Sequence, residues 1–173
     1  MAGLRKGKCY RKPVRPYTRM SKVKSKSYIK TKPASRIVRY DMGNSKREFQ
    51  YEVQIISKDD VQIRHNALES ARLVVFRRLQ KFGLLNFYFQ LKVYPHQILR
   101  ENKMLSGARA DRLQTGMSHA FGKPMGLAAN VKKGKIILST RVDSDNLEAV
   151  KDAMKKSTPR LPCRCLMEVK KLK

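Results

Sequence analysis

The sequence predicts an α+β fold: a mostly antiparallel sheet with two helices packed on it, plus an extended basic N-terminal arm and a long flexible loop. Three observations predict it. Apolar residues alternate with polar ones in several short stretches, the signature of half-buried strands. Two stretches instead repeat apolar residues at three- and four-residue steps, as a helix face does. Strands also outnumber helices and are not interleaved with them one for one, which argues against a doubly wound parallel sheet.

The arm comes first, residues 1–40. Residues 1–39 carry 14 Lys or Arg and no acid, the first acid being Asp41. Pro13, Pro16 and Pro33 favour extended backbone. Tyr10, Tyr17 and Tyr28 are spaced through the cations, an arrangement suited to lying along phosphates while rings stack on bases or sugars. The candidate RNA-binding residues here are Arg5, Lys6, Lys8, Tyr10, Arg11, Lys12, Arg15, Tyr17, Arg19, Lys22, Lys24 and Lys26. A disordered solubilising tail is the blander reading of the same charge.

A single α+β domain is expected over residues 41–173. From Glu48 to Ile55, Phe49, Tyr51, Val53 and Ile55 alternate with Glu48, Gln50, Glu52 and Gln54, which predicts a strand. Val61–Ile63 suggests a short second strand. Leu68, Ala71, Val75, Leu79 and Phe82 predict a helix from about Arg64 to Phe82, ended by Gly83. Its other face is expected to offer Arg72, Arg77, Arg78 and Lys81 to phosphate. Phe87, Phe89, Leu91 and Val93 alternate in a strand stopped by Pro95. The stretch at about 101–123 has no regular period, is punctuated by Gly107, Gly116 and Gly122, and reads as a functional loop. Residues 126–131 and 136–141 read as a hairpin around Lys132-Lys133-Gly134. Asp143 or Ser144 is placed to cap a second helix whose buried stripe is Leu147, Val150 and Met154. Cys163–Val169 offers a closing strand.

With 40 Lys or Arg against 13 Asp or Glu in 173 residues, the formal net charge is +27. Self-repulsion on that scale opposes compaction, so a polyanionic partner is expected; composition alone leaves RNA, DNA and an anionic membrane open. No run approaches the roughly 18 apolar residues that span a bilayer, and no signal-peptide pattern opens the chain. Cys9, Cys163 and Cys165 show no zinc spacing and read as free thiols in a reducing cytoplasm, with Cys163 and Cys165 too close in sequence for an easy bridge.

No catalytic constellation emerges, and neither a metal site nor a cofactor is expected. His65, His96 and His119 lack partners at ligand spacing, and His65 and His96 read as surface or cap groups. Asp59-Asp60 is more simply a turn than a carboxylate pair. Phosphate-loop, dinucleotide and nucleophile-elbow patterns are missing, as are helix-turn-helix, zinc-finger and basic-zipper signatures. An RNA-modifying enzyme and a chromatin-type DNA binder remain as other classes, the first requiring turnover on naked tRNA, the second equal affinity for duplex DNA.

One string is more specific than any of these features. Glu101-Asn102-Lys103-Met104-Leu105-Ser106, then Ala110-Asp111-Arg112-Leu113-Gln114-Thr115-Gly116-Met117, then Ala120-Phe121-Gly122-Lys123-Pro124, closely resembles a large-subunit ribosomal protein family. It is the family called L-ten-e in archaea and eukaryotes, the counterpart of bacterial L-sixteen. Lys8-Cys9-Tyr10-Arg11 is similar to the same family's arm, and the element order agrees along the chain. The resemblance implies a cytoplasmic, non-enzymatic constituent of the large ribosomal subunit. Its implied partners are the large (23S-type) ribosomal RNA, tRNA and neighbouring ribosomal proteins, with no membrane and no small-molecule substrate. It also implies a loop reaching towards the peptidyl transferase centre, with Lys103, Met104, Arg109, Asp111, Arg112, Leu113, Gln114 and Met117 at or near its tip. Two departures stand out: Ser118-His119 replaces an expected arginine and small residue, and the longer tail of eukaryotic members is not seen after Lys173, which favours an archaeal form.

Overall fold

Strands whose apolar residues all point one way need a cover, and here two helices supply it. The computed structural model describes residues 5–14, 17–18, 23, 25, 29, 32–105, 107, 110–114, 117–118 and 122–172. In chain order the elements are β1 (Asp41–Gly43), β2 (Tyr51–Ser57), β3 (Val61–Arg64), α1 (His65–Leu79), β4 (Phe87–Leu91) and β5 (Gln97–Glu101). They continue with α2 (Ala110–Leu113), β6 (Lys123–Val131), β7 (Ile136–Val142), α3 (Leu147–Lys155) and β8 (Cys165–Lys171).

The fold is α+β and every strand pairing is antiparallel, but the strands divide into two sheets. A five-stranded sheet runs β1-β4-β7-β2-β8 and a three-stranded one β3-β6-β5. This overturns the expected hairpin. Residues 123–131 and 136–142 are both strands, yet they pair in different sheets. The turn between them, with Gly134 at φ 81°, docks instead on the end of β2: Gly134 N–H donates to Ser57 O at 2.8 Å, and Ser57 N–H to Lys135 O at 3.0 Å. Alternation shows that a segment is a strand, but it carries no label for the partner.

The main core lies between the large sheet and the helices. Leu68, Ala71, Val75 and Leu79 of α1 and Val150 and Met154 of α3 pack with Val53, Ile55, Phe87, Phe89, Leu138 and Val142. Each large apolar side chain so buried contributes roughly 1.5–3 kcal/mol. Phe76 meets Phe87 edge-on, ring centroids 6.4 Å apart. β4 behaves as its alternation requires, with Phe87, Phe89 and Leu91 buried and Tyr88 and Gln90 half-buried. β2 does not, because Glu52 and Gln54 are buried too. It is an interior strand between β7 and β8, so its polar face is crowded by cross-strand neighbours: Ser139 donates to Glu52, and Arg141 Nε lies 3.8 Å from it.

β1 and β5 were not expected as strands. Three residues are too few to show a period, and in β5 the adjacent Ile98 and Leu99 are both buried. At Gly43, φ is +89° and an added Cβ would sit 2.2 Å from Phe87 O, so the approach of β1 to β4 requires glycine. α3 begins at Leu147, after a 3-10 turn over Ser144–Asn146, and neither segment has a side-chain cap. Asp143 is engaged elsewhere, paired with Arg47 at 2.6 Å.

Candidate nucleic-acid interface

Cations gather where the ends of α1 and α3 come together. Arg77 and Arg78 stand near the end of α1 and Lys81 in the 3-10 turn Gln80–Phe82 that follows, with Arg77 opposite the apolar stripe of the helix. α3 packs alongside, and the chain leaving it adds Lys156 and, from the 3-10 turn Thr158–Arg160, Arg160. Together with Val74 these five cations line an open cleft of about 490 Å³. Basic groups at helix C-termini also suit the negative ends of the helix dipoles.

One acid partly neutralises the cleft. Asp152 accepts from Lys156 at 2.7 Å and Arg78 at 3.2 Å, and the Lys156 ammonium first, then Arg78, holds its carboxyl below the ordinary value. Arg77, Lys81 and Arg160 form no ion pair among the described residues and are exposed. An exposed guanidinium beside others, with few acids near, is arranged to receive phosphate oxygens rather than to stabilise the fold.

Arg72 departs from its expected role. It is 8% exposed, its guanidinium is clasped by Glu69 with Nε–Oε2 at 2.8 Å, and Nη1 lies 3.1 Å from Met42 Sδ. Four residues after Leu68 and three before Val75, it sits at the margin of the buried stripe, and β1 closes over it. A helical wheel drawn without β1 leaves that margin open to solvent.

The described part of the arm is docked on the protein itself. Arg11 O accepts from Gln62 N–H of β3 at 2.8 Å, and Tyr17 O from Ile98 N–H of β5 at 2.9 Å. These are the two outer strands of the small sheet, so the arm covers both of its edges. Ile29, Ile98 and Leu127 form a second small core against which Tyr17 packs. Arg5 pairs with Glu101 at 2.7 Å, Arg64 lies over the Tyr10 ring at 5.4 Å, and Arg100 over Tyr17 at 4.1 Å. Tyr10 and Tyr17 thus each have one ring face occupied by an arginine of the same chain. Lys6, Lys8, Arg11 and Lys12 are exposed. Arg15, Arg19, Lys22, Lys24 and Lys26 lie outside the described residues.

The segment between β5 and β6 holds the residues singled out by the family resemblance. Lys103, Met104, Arg112, Leu113 and Met117 are all exposed, Leu113 by 76% and Met104 by 66%. Gln114 is used internally: it donates through Nε2 to Lys103 O at 2.8 Å and accepts from Leu105 N–H, tying the two limbs together. Asp111 lies in α2. Arg109 and His119 lie outside the described residues.

His65, expected near the surface, is buried at 8% exposure where α1 starts. Its Nδ1 accepts from Arg36 N–H at 3.3 Å. Burial, then Arg36 and Arg64, holds its imidazole below the ordinary 6.5. The unfolded chain therefore binds the proton more readily, so this contribution to stability is present above about pH 6.5 and is lost as pH falls below it. The denaturant midpoint is expected to drop between about pH 7.5 and 5.5, and His65→Gln is expected to flatten that drop. An unchanged slope in the variant would remove His65 as its source.

Among the described residues no group of three or more His, Cys, Asp or Glu is placed to hold a metal ion, and no helix is long and apolar enough to cross a membrane. Asp59 and Asp60 are turn residues, Asp59 binding Arg164 and Asp60 accepting from Lys133 N–H at 2.7 Å. Sequence reasoning missed Lys156 and Arg160. Lys155-Lys156 stands beyond the stripe of Leu147, Val150 and Met154 in the sequence, but nothing along the chain shows its nearness to α1.

Comparison with known proteins gives a consistent result. Residues 13–168 match the profile of the family described as ribosomal protein L16p/L10e. The large ribosomal subunit protein uL16 of Methanococcus aeolicus is 45% identical over 170 residues, covering 97% of this chain and 95% of the relative. Its namesake from Sulfolobus acidocaldarius is 42% identical, covering 98% and 95%. That of Picrophilus torridus is also 42% identical, covering 92% and 93%.

Proposed function

The chain belongs to the ribosomal protein L16p/L10e family, as an archaeal member and a structural constituent of the large ribosomal subunit; from that premise we propose how it holds RNA and where it acts. Like its relatives it is a ribosomal protein and not an enzyme, and it associates in the cytoplasm with large-subunit rRNA and other ribosomal proteins.

The cleft formed by Arg77, Arg78, Lys81, Lys156 and Arg160 is the rRNA anchor, and the exposed cations of the arm, Lys6, Lys8, Arg11 and Lys12, extend the contact. The observation that carries this reading is the convergence of five cations, from the ends of α1 and α3 and the turns that follow them, around one acid. If about ten basic groups of the chain meet phosphates, the logarithm of affinity falls with that of salt at a slope of about −9. The protein is then expected to sediment with large subunits at physiological salt and to leave them only at high salt. Recovery in the soluble fraction at physiological salt would defeat the proposal.

The β5–β6 loop is the part that helps place tRNA near the peptidyl transferase centre. Its support is the family resemblance together with the exposure of Lys103, Arg112, Met104, Leu113 and Met117. Its role is positional and electrostatic, with catalysis left to the RNA. Deleting residues 106–116 should leave melting of the isolated protein nearly unchanged while impairing tRNA binding and peptide synthesis by assembled subunits. Normal synthesis by subunits that contain the deleted protein would refute this role.

A further inference from the structure

Two thiols outside the RNA-facing surfaces are held almost in contact. Cys163 precedes β8 and Cys165 opens it, and their sulfurs are 3.6 Å apart. Both are half-buried, and both pack against the edge of the main core. Their closeness is imposed by the residue between them. Arg164 donates to Asp59 Oδ2 through its backbone N–H at 3.1 Å, and its guanidinium reaches Asp59 Oδ1 at 2.7 Å. Its carbonyl accepts from Lys58 N–H at 2.9 Å. Alternation along the strand then sends the two cysteine side chains to the face opposite Arg164.

Two residues so near in sequence make no easy bridge, but here the sulfurs already lie close together. A disulfide needs sulfurs about 2.05 Å apart, so each here must move by only about 0.8 Å. The two thiols are also unlike each other. Hydrogen bonding from Cys165 holds the Cys163 thiol down at about 7, while Cys163 and burial push Cys165 up. The contact between them favours the thiolate on Cys163 and the proton on Cys165.

We propose that Cys163 and Cys165 form a modification site for hydroperoxides, Cys163 being the nucleophile and Cys165 the resolving thiol. The Cys163 thiolate attacks one peroxide oxygen. A sulfur–oxygen bond forms, the oxygen–oxygen bond breaks, and hydroxide or alkoxide leaves. Sulfur is oxidised to the sulfenic acid and the peroxide is reduced by two electrons. Cys165 sulfur then attacks Cys163 sulfur, the sulfur–oxygen bond breaks, and the departing hydroxyl leaves as water with the Cys165 proton. The product is a disulfide within one chain, closed beside the Arg164–Asp59 ion pair.

The test treats the full chain with one equivalent of hydrogen peroxide at neutral pH. Free thiols are expected to fall from three per chain to one, with Cys9 retained. Trypsin cuts after Arg164, so the oxidised chain should yield peptides 161–164 and 165–170 joined by a bond that a reductant releases. In Cys165→Ala the reaction should stop at a sulfenic acid on Cys163 that dimedone captures. Oxidation of Cys9 ahead of this pair, cross-linked chains in place of the internal disulfide, or no dimedone adduct on Cys163 in that variant would each overturn the proposal. The unsubstituted chain supplies the first two readouts, so they stand even if the variant folds poorly.

Discussion

Replacing Arg77, Lys81 and Arg160 together by glutamine is expected to weaken binding of the full chain to large-subunit rRNA by roughly 100-fold at about 0.15 M salt. Each cation that meets a phosphate releases counterion equivalent to about 0.9 unit of salt slope, so the slope should flatten by nearly 3 units. These three are chosen because they are exposed and join no ion pair among the described residues, so their loss costs the fold little. Thermal melting of the variant should match the parent within a few degrees. Asp152→Asn has the opposite sign. It frees Arg78 and Lys156 from their acid and should tighten binding. Filter binding across a salt series reads both effects, and an unaltered slope in the triple variant would exclude the cleft from the interface.

The second large effect is on stability. Phe89→Ala is expected to destabilise the protein by about 3–5 kcal/mol, against a typical total of roughly 5–15 kcal/mol. Phe89 is wholly buried, its strand lies between β1 and β7, and its backbone is opposite Met42 on one side and Thr140 on the other. With strands on both sides and the helices covering that face, little can move in to fill the void, which places the loss high in the range. A fall in melting temperature of about 10–15 °C follows for a chain of this size. Tyr88→Ala, one residue along on the half-buried face, should cost distinctly less; equal losses at the two positions would show that β4 does not have the burial described.

Much of the fold was legible because it is written locally. The alternation of Phe87, Phe89 and Leu91 and the stripe of Leu68, Ala71, Val75 and Leu79 both correspond to buried faces in the structure. Leu147, Val150 and Met154 likewise mark the inward side of α3. The weaker readings are those that depend on a neighbour distant in sequence. β7 was recognised as a strand and given the wrong partner. Arg72 was read from its own helix, and β1, 30 residues earlier at Met42, proved to cover it. His65 reads from the sequence as a surface or cap group at the helix start, but it is buried and Arg36 lies against it.

The positive charge shows the same division. Strong positive charge, 39 leading residues without an acid, and the family likeness of the string from Glu101 to Pro124 are all readable along the chain. Those properties are composition and order along the chain, and folding does not alter them. Which cations stand together depends on how the elements pack. Packing joined Lys156 and Arg160 to the α1 arginines, gave Arg5 to Glu101, laid Met42 over Arg72, and held Arg164, between the two cysteines, against Asp59. The reason is physical: hydrophobic periodicity fixes which face of an element turns inward, whereas long-range charge pairing and strand partnership depend on which elements meet, and those meetings are made by contacts far apart in sequence.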